Sequence, residues 1–286
     1  MKNLLSVFIF ILFGLNVFSQ TTVGTPEQLE QLLKTKTCVV YDRMPMRMYN
    51  VRIKDIIEQN WDLTEYEFIT FEEFEKRREN PEYSFLVIFE VMFNNDKTLD
   101  RYNFLSLLLG GDYDRVVEMP DLATVPISYQ DVEEDEYLYK IGVLARFIQS
   151  HIKLTMKNPD LKDNNIIRYY NKNMHSVKEK TLYLRKDELE SKVNTLKKIK
   201  KVYPYKVKIA TKEEIEEVIN NQDPDAVVLH KVGPGSNNRK ARVWNVLIGT
   251  KDAKLYYFDW HMINKRHPNA FTEKDFKKLA RKQLKD

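Results

Sequence analysis

The chain writes one strand–helix–strand segment twice, and this internal repeat constrains its fold more than any other feature. Phe68-Ile69-Thr70-Phe71-Glu72-Glu73-Phe74-Glu75 aligns with Ile209-Ala210-Thr211-Lys212-Glu213-Glu214-Ile215-Glu216 at an offset of 141 residues. The offset continues without a gap to Phe85-Leu86-Val87-Ile88 over Ala226-Val227-Val228-Leu229. Each copy carries a Thr followed three residues on by Glu, the pattern of a capping box that satisfies two free helix amides reciprocally. A separation this long points to two related domains, because stacked repeats recur every 20–50 residues.

Each unit reads as β-α-β-α-β-β-β-α. In the first, residues 38–41 and 66–70 are strands, 71–79 a short helix, 84–93 a strand, and 102–109 and 115–119 two more. The second has strands at 181–184 and 205–209, a helix at 213–221, and strands at 226–232, 241–249 and 254–260. Apolar residues at helical spacing predict a helix over 189–202, and Tyr137, Ile141, Leu144, Ile148 and Ile152 predict another over 132–156. A β-α-β opening needs parallel strands with right-handed crossovers, whereas the closing strands are close enough for hairpins. The expectation is an α/β (α+β) fold of two homologous domains, each a mixed sheet with helices packed on it. Residues 20–157 form the first domain, 158–179 a helical linker and 180–286 the second.

The element order resembles the N-terminal α/β domain of the TolB envelope protein and domains of curli-secretion lipoproteins, in which a strand pair like 226–229 and 241–246 follows a βαβ opening. A thioredoxin-like order also comes close, without a Cys-x-x-Cys. The Tyr256-Tyr257-Phe258-Asp259-Trp260-His261 region resembles exported proteins of Bacteroidota-type bacteria. These resemblances imply a fold and a compartment, and carry no activity.

The first nineteen residues predict a secretory signal peptide. Lys2 is the positive start, residues 4–13 are an almost unbroken apolar run, and Val17 and Ser19 occupy the small-residue positions before Gln20. Its Phe-Ser-Gln ending resembles Bacteroidota export signals, which implies a periplasmic or secreted protein. No second apolar segment of membrane-spanning length follows, so an integral membrane protein is not expected. Cys38 is the single cysteine, which leaves no internal disulfide; it reads as a small buried hydrophobe, with a reactive thiol as the sharper reading.

Charge divides sharply between the halves. Residues 21–157 hold 16 Lys+Arg against 25 Asp+Glu, and residues 158–286 hold 29 against 17. Such asymmetry bears on association rather than fold. It suits attraction between the halves, head-to-tail self-association, or a basic face meeting an anionic envelope component; export argues against genomic nucleic acid.

Asp259, His261 and His267 form the best candidate cluster, with His230 and Lys231 on a neighbouring strand. Imidazole and carboxylate two residues apart on a strand can share a metal or a proton. Strand-end residues with no ligand are the competing reading, and no third ligand has motif spacing. The loop Gly233-Pro234-Gly235-Ser236-Asn237-Asn238-Arg239-Lys240 combines backbone freedom with cations but leads into a strand, so it reads as a hairpin turn rather than a phosphate cradle. Lys197, Lys198, Lys200 and Lys201 line one helix and Lys277, Lys278, Arg281 and Lys282 another, as solvated faces or as an interaction surface for a polyanion. Glu133-Glu134-Asp135-Glu136 reads as the acidic start of a long helix. Arg43-Met44-Pro45-Met46-Arg47-Met48 reads as a buried crossover or an adaptable partner surface. No cofactor is implied. The sequence thus predicts an exported, non-enzymatic binding or scaffold protein of the cell envelope; the alternative is a hydrolase or metal-dependent enzyme acting near Asp259, His261 and His267.

Overall fold

The computed structural model describes residues 23–93, 96, 98, 100–235 and 241–281, together with the backbone of Leu12–Phe13. The rest of the expected signal peptide, Asn94, Asn95, Lys97, the 236–240 part of the Gly-rich loop, and Lys282 lie outside the described residues.

Two mixed sheets with helices packed on them make an α/β fold. The first half runs β1 (Leu12–Phe13), α1 (Pro26–Leu32), β2 (Lys36–Val40), α2 (Met48–Asn60), β3 (Tyr66–Ile69), α3 (Phe71–Arg77), β4 (Tyr83–Phe93), β5 (Tyr102–Leu109), β6 (Asp121–Tyr129) and α4 (Ile141–Lys157). After α5 (Asp163–Asn171) the second half runs β7 (Thr181–Leu184), α6 (Leu196–Lys200), β8 (Val207–Ile209), α7 (Lys212–Asn220), β9 (Ala226–Val232), β10 (Arg242–Gly249), β11 (Leu255–Met262) and α8 (Glu273–Ala280). The first sheet is ordered β3-β2-β4-β5-β6, with β1 paired in parallel to Met92 and Phe93 of β4. The second is β8-β7-β9-β10-β11. Both orders, read in chain sequence, are the same. In each, the first three strands are parallel and the last two add antiparallel.

Local chemistry sets the matching parts. Thr70 accepts from Glu73 N while Glu73 accepts from Thr70 N, and Thr211 and Glu214 repeat the exchange. One register differs. Phe68 stands level with Leu86 across Val39, whereas Val207 stands level with Val227 across Leu182, so the edge strand of the second half is displaced by two residues. An even slip keeps every side chain on its face.

Three expected elements take other forms. The helix expected from Val132 begins at Ile141, after two 3-10 turns at Glu134–Glu136 and Leu138–Lys140. The helix expected over 189–202 is a 3-10 turn at Ser191–Val193 and the short α6. The strand expected at 115–119 is a 3-10 turn at Val116–Glu118, and the closing strand is β6, which contains Pro126. Proline is tolerated there because β6 pairs only with β5 and lies at the edge of the sheet.

The halves share a core. Leu86 and Leu107 of the first sheet, Ile53 and Ile57 of α2, and Leu144 and Ile148 of α4 belong to one apolar cluster with Ile215, Val228, Val246 and Phe258 of the second half. Tyr137 and Tyr170 are buried in this cluster and Tyr169 packs against it. Alternation along the strands sends Val87 to a cluster under α3, and Val227 and Leu229 to one with Ile199 and Phe276. The layers are therefore α3, the first sheet, a shared helical layer holding α2, α4 and α7, the second sheet, then α6 and α8. Among the described residues no helix is long and apolar enough to cross a membrane.

Candidate functional site

A doubly wound opening leaves a crevice at the carboxyl ends of its parallel strands, where successive helices depart to opposite faces. In the first half this crevice is open. It measures about 590 Å³ and lies beyond the end of β2, between the start of α2 and the start of α3. Its floor is β4, which outruns β2: pairing between them stops at Val39 with Leu86. Residues 88–91 of β4 pair with β5 on one side and have no strand on the other among the described residues.

The walls mix charge with aromatic surface. Arg43 lies over the Phe71 ring at 3.7 Å and stands 3.9 Å from Glu75. Arg101 pairs with Glu90 at 2.7 Å. Glu134 accepts from the backbone of Met48 and Tyr49, supplying the acidic cap that Arg47 cannot give to α2. Asp42 accepts from Met44 N and makes no ion pair among the described residues. The buried Nε of Arg47 has no hydrogen-bond partner among the described residues. Burial pushes the Tyr137 phenol up to about 12, with Glu134 adding to the effect. Met44, which lines the crevice, is exposed, and beside it on the same segment Met46 is 95 % and Val51 74 % exposed, with Met48 also in solvent. Arg43-Met44-Pro45-Met46-Arg47-Met48 is thus an exposed rim rather than a buried crossover.

The corresponding crevice of the second half is filled by the first. The lead-in to α4, residues 134–140, lies across the ends of β7 and the start of α7. Arg185, the residue after β7, donates to Glu136 at 2.5 Å. Lys212 lies 2.7 Å from Asp135 and 2.6 Å from Glu136. Lys140 donates to Glu188 at 3.0 Å with both residues buried. Burial drives the Lys140 ammonium down, but Glu188 and Tyr139 together outweigh it and the group ends raised. On β9, burial lowers the Lys231 ammonium. His230 donates from Nε2 to Pro126 O at 2.7 Å, and burial, with Lys140 nearby, lowers its pKa to about 3. Arg52 of α2 pairs with Glu216 of α7.

Of the sequence-predicted cluster, the structure sets the His261 and His267 rings side by side and engages Asp259 with Lys278 and Tyr257. Asp259 accepts from Lys278 at 2.5 Å and Tyr257 at 3.1 Å, which occupies its carboxylate. His261 bonds to Pro268 O at 2.8 Å, and the His267 ring stands 5.7 Å from the His261 ring. No group of three His, Cys, Asp or Glu residues able to hold a metal occurs among the described residues. Lys197, Lys198, Lys200, Lys201, Lys277 and Arg281 are exposed, while Lys278 is half-buried on Asp259. Lys198 donates to Ser191 O and Asn194, and Lys277 pairs with Glu273. Cys38 is buried, and burial, with Glu67 nearby, pushes its thiol up to about 11.

The open crevice drew no notice in the sequence because its walls come from separate segments; the three methionines after the first strand were its one visible sign. No protein-family model, curated protein or solved structure matches the chain.

Proposed function

We propose that this is an exported, non-enzymatic binding or scaffold protein of the cell envelope, built from two copies of one ancestral α/β unit, and that its docking site is the open crevice of the first half. The observation that carries the reading is the contrast between the copies. The second crevice receives a tethered chain segment, residues 134–140, through salt bridges and buried contacts. The first has the same strand ends, a stretch of β4 with no strand on one edge among the described residues, and a methionine-rich segment beside it, with no such segment described in it. Strand edges take extended peptides by backbone pairing, and exposed methionines adapt to varied partners. Pairing of Leu12–Phe13 with the end of β4 supports the idea that this strand accepts added backbone, and cleavage before Gln20 would release it.

A photocrosslinking residue in place of Met46, in cells that export the protein, tests the reading. The expected result is protein crosslinks at position 46 that are absent at Lys157, an exposed position at the far end of α4. Equal crosslinking at the two positions would overturn it.

A further inference from the structure

Register lays one half on the other residue by residue. Cys38 pairs with Phe85 and Thr181 with Ala226, the two members related by the 141-residue offset. Asp42, four residues past Cys38, therefore corresponds to Arg185, four past Thr181. Asn103 pairs with Glu90 and Ser128, and Asn245 with Lys231 and Asp259. Glu90 thus corresponds to Lys231. The acidic run Glu133-Glu134-Asp135-Glu136, which starts five residues past Ser128, corresponds to Asn264-Lys265-Arg266-His267, which starts five past Asp259.

The charges are inverted at both partners of the contact. Within one chain, an acidic lead-in enters a crevice bearing Arg185, Lys212 and Lys231. The unused pair is the reverse at the matched positions: a basic lead-in, with Lys265 and Arg266 exposed, and an open crevice bearing Asp42 and Glu90, whose wall also holds Glu75 and Glu134 against Arg43, Arg47 and Arg101. The two cannot meet within one molecule by the same geometry, because the second half already stands on the opposite side of the first.

We propose that the open crevice of the first half takes the Asn264-Lys265-Arg266-His267 turn of a second copy of this chain, so that the internal contact between halves is repeated between molecules. This rests on the reading of the crevice as a docking site and names its occupant. Such a contact is heterologous: each molecule offers one crevice and one turn, and the array stays open unless its rotation closes a ring. Among the described residues Asp42 has no ion pair to give up. Arg101 and Arg43 are already engaged with Glu90 and with the Phe71 ring, which limits their repulsion of the incoming cations; Arg47 is the remaining cation of the wall and opposes them. Exposed Met44 in the crevice wall and its neighbour Met46 supply the apolar area that ion pairs alone do not, while the charges set orientation.

Two variants of the purified full chain decide the matter by light scattering coupled to size exclusion. Met44→Lys with Met46→Lys sets cations at the crevice wall, and Lys265→Glu with Arg266→Glu reverses the charge of the turn; all four positions are exposed, and unchanged thermal unfolding checks that each variant folds. The wild type should grow in mean mass with concentration. Each variant alone should remain a monomer. An equimolar mixture should form a one-to-one dimer and grow no further, since it holds one working crevice and one working turn. A wild type that stays monomeric at every concentration, or a mixture that stays monomeric, overturns the proposal. So does either variant assembling alone. Position-46 crosslinks to a different protein, with the wild type monomeric, would leave the docking site standing and remove only the second copy.

Discussion

Arg242 donates to both carboxylate oxygens of Asp96, from Nε at 2.8 Å and Nη2 at 2.7 Å, and this pair ties the start of β10 to the turn between β4 and β5. Its guanidinium lies between the Phe93 ring at 3.9 Å and the Trp260 ring at 4.7 Å, and both charged side chains are almost fully buried. Removing one partner of such a pair leaves an uncompensated buried charge, a cost of about 3–5 kcal/mol. Arg242→Ala is expected to destabilise the protein by that amount in denaturant titration. Asp96→Ala should do the same, and the double variant should cost less than the two singles added.

Because one apolar cluster includes residues of both halves, unfolding should be a single transition. Fluorescence of Trp61, in the first half, and of Trp244, in the second, each isolated by replacing the other tryptophans with phenylalanine, should report the same midpoint. Two midpoints would mean that the halves are independent domains.

The capping boxes at Thr70 and Thr211 should be energetically alike. Thr70→Ala and Thr211→Ala should each cost about 1 kcal/mol, as loss of an N-cap hydroxyl ordinarily does. A near-zero cost at one alone would show that the boxes are not equivalent in role.

These boxes were legible in the sequence because capping is local chemistry: a Thr and a Glu three apart carry the whole signal. The repeat also gave the mixed α/β character of each half, but not the strand order, which depends on pairing between distant segments. The start of α4 was not legible, because Glu133-Glu134-Asp135-Glu136 has the composition of a helix N-terminus yet is drawn into 3-10 turns by Arg185 and Lys212, some fifty and more residues away. Leu189 and Val193 have helical spacing, but Leu189 instead bridges to Phe271, and the chain there turns too tightly for a helix. Asp259, His261 and His267 looked like a site because two-residue spacing shares a face. Lys278, reaching from α8, and the carbonyl of Pro268 claim their polar atoms, and neither contact has a sequence signature.

His230 makes acid stability a sensitive reporter of the join between halves. Its folded pKa of about 3 lies far below the usual 6.5, so the unfolded chain binds the proton that the folded chain refuses. The group's contribution is complete above pH 6.5 and is lost as pH falls from there toward 3, at up to about 1.4 kcal/mol per pH unit. His230→Leu should flatten the pH dependence of stability in that window. An unchanged slope would mean that another group titrates there.

Cys38 should resist alkylation while the protein is folded. Its burial and a pKa near 11 keep the reactive thiolate scarce at neutral pH. Modification should proceed at the rate of unfolding and reach completion in denaturant; rapid labelling of native protein would place the thiol at the surface.

The central claim is that one crevice is filled from within the chain and its counterpart is open to a second copy. Hydrogen exchange followed by mass spectrometry at low and high protein concentration tests it most directly. Residues 88–91, the segment 43–51 and the turn at 264–267 should exchange more slowly as concentration rises, while residues 229–232 of β9 stay equally protected throughout. Exchange at residues 88–91 and 264–267 that is independent of concentration would contradict it.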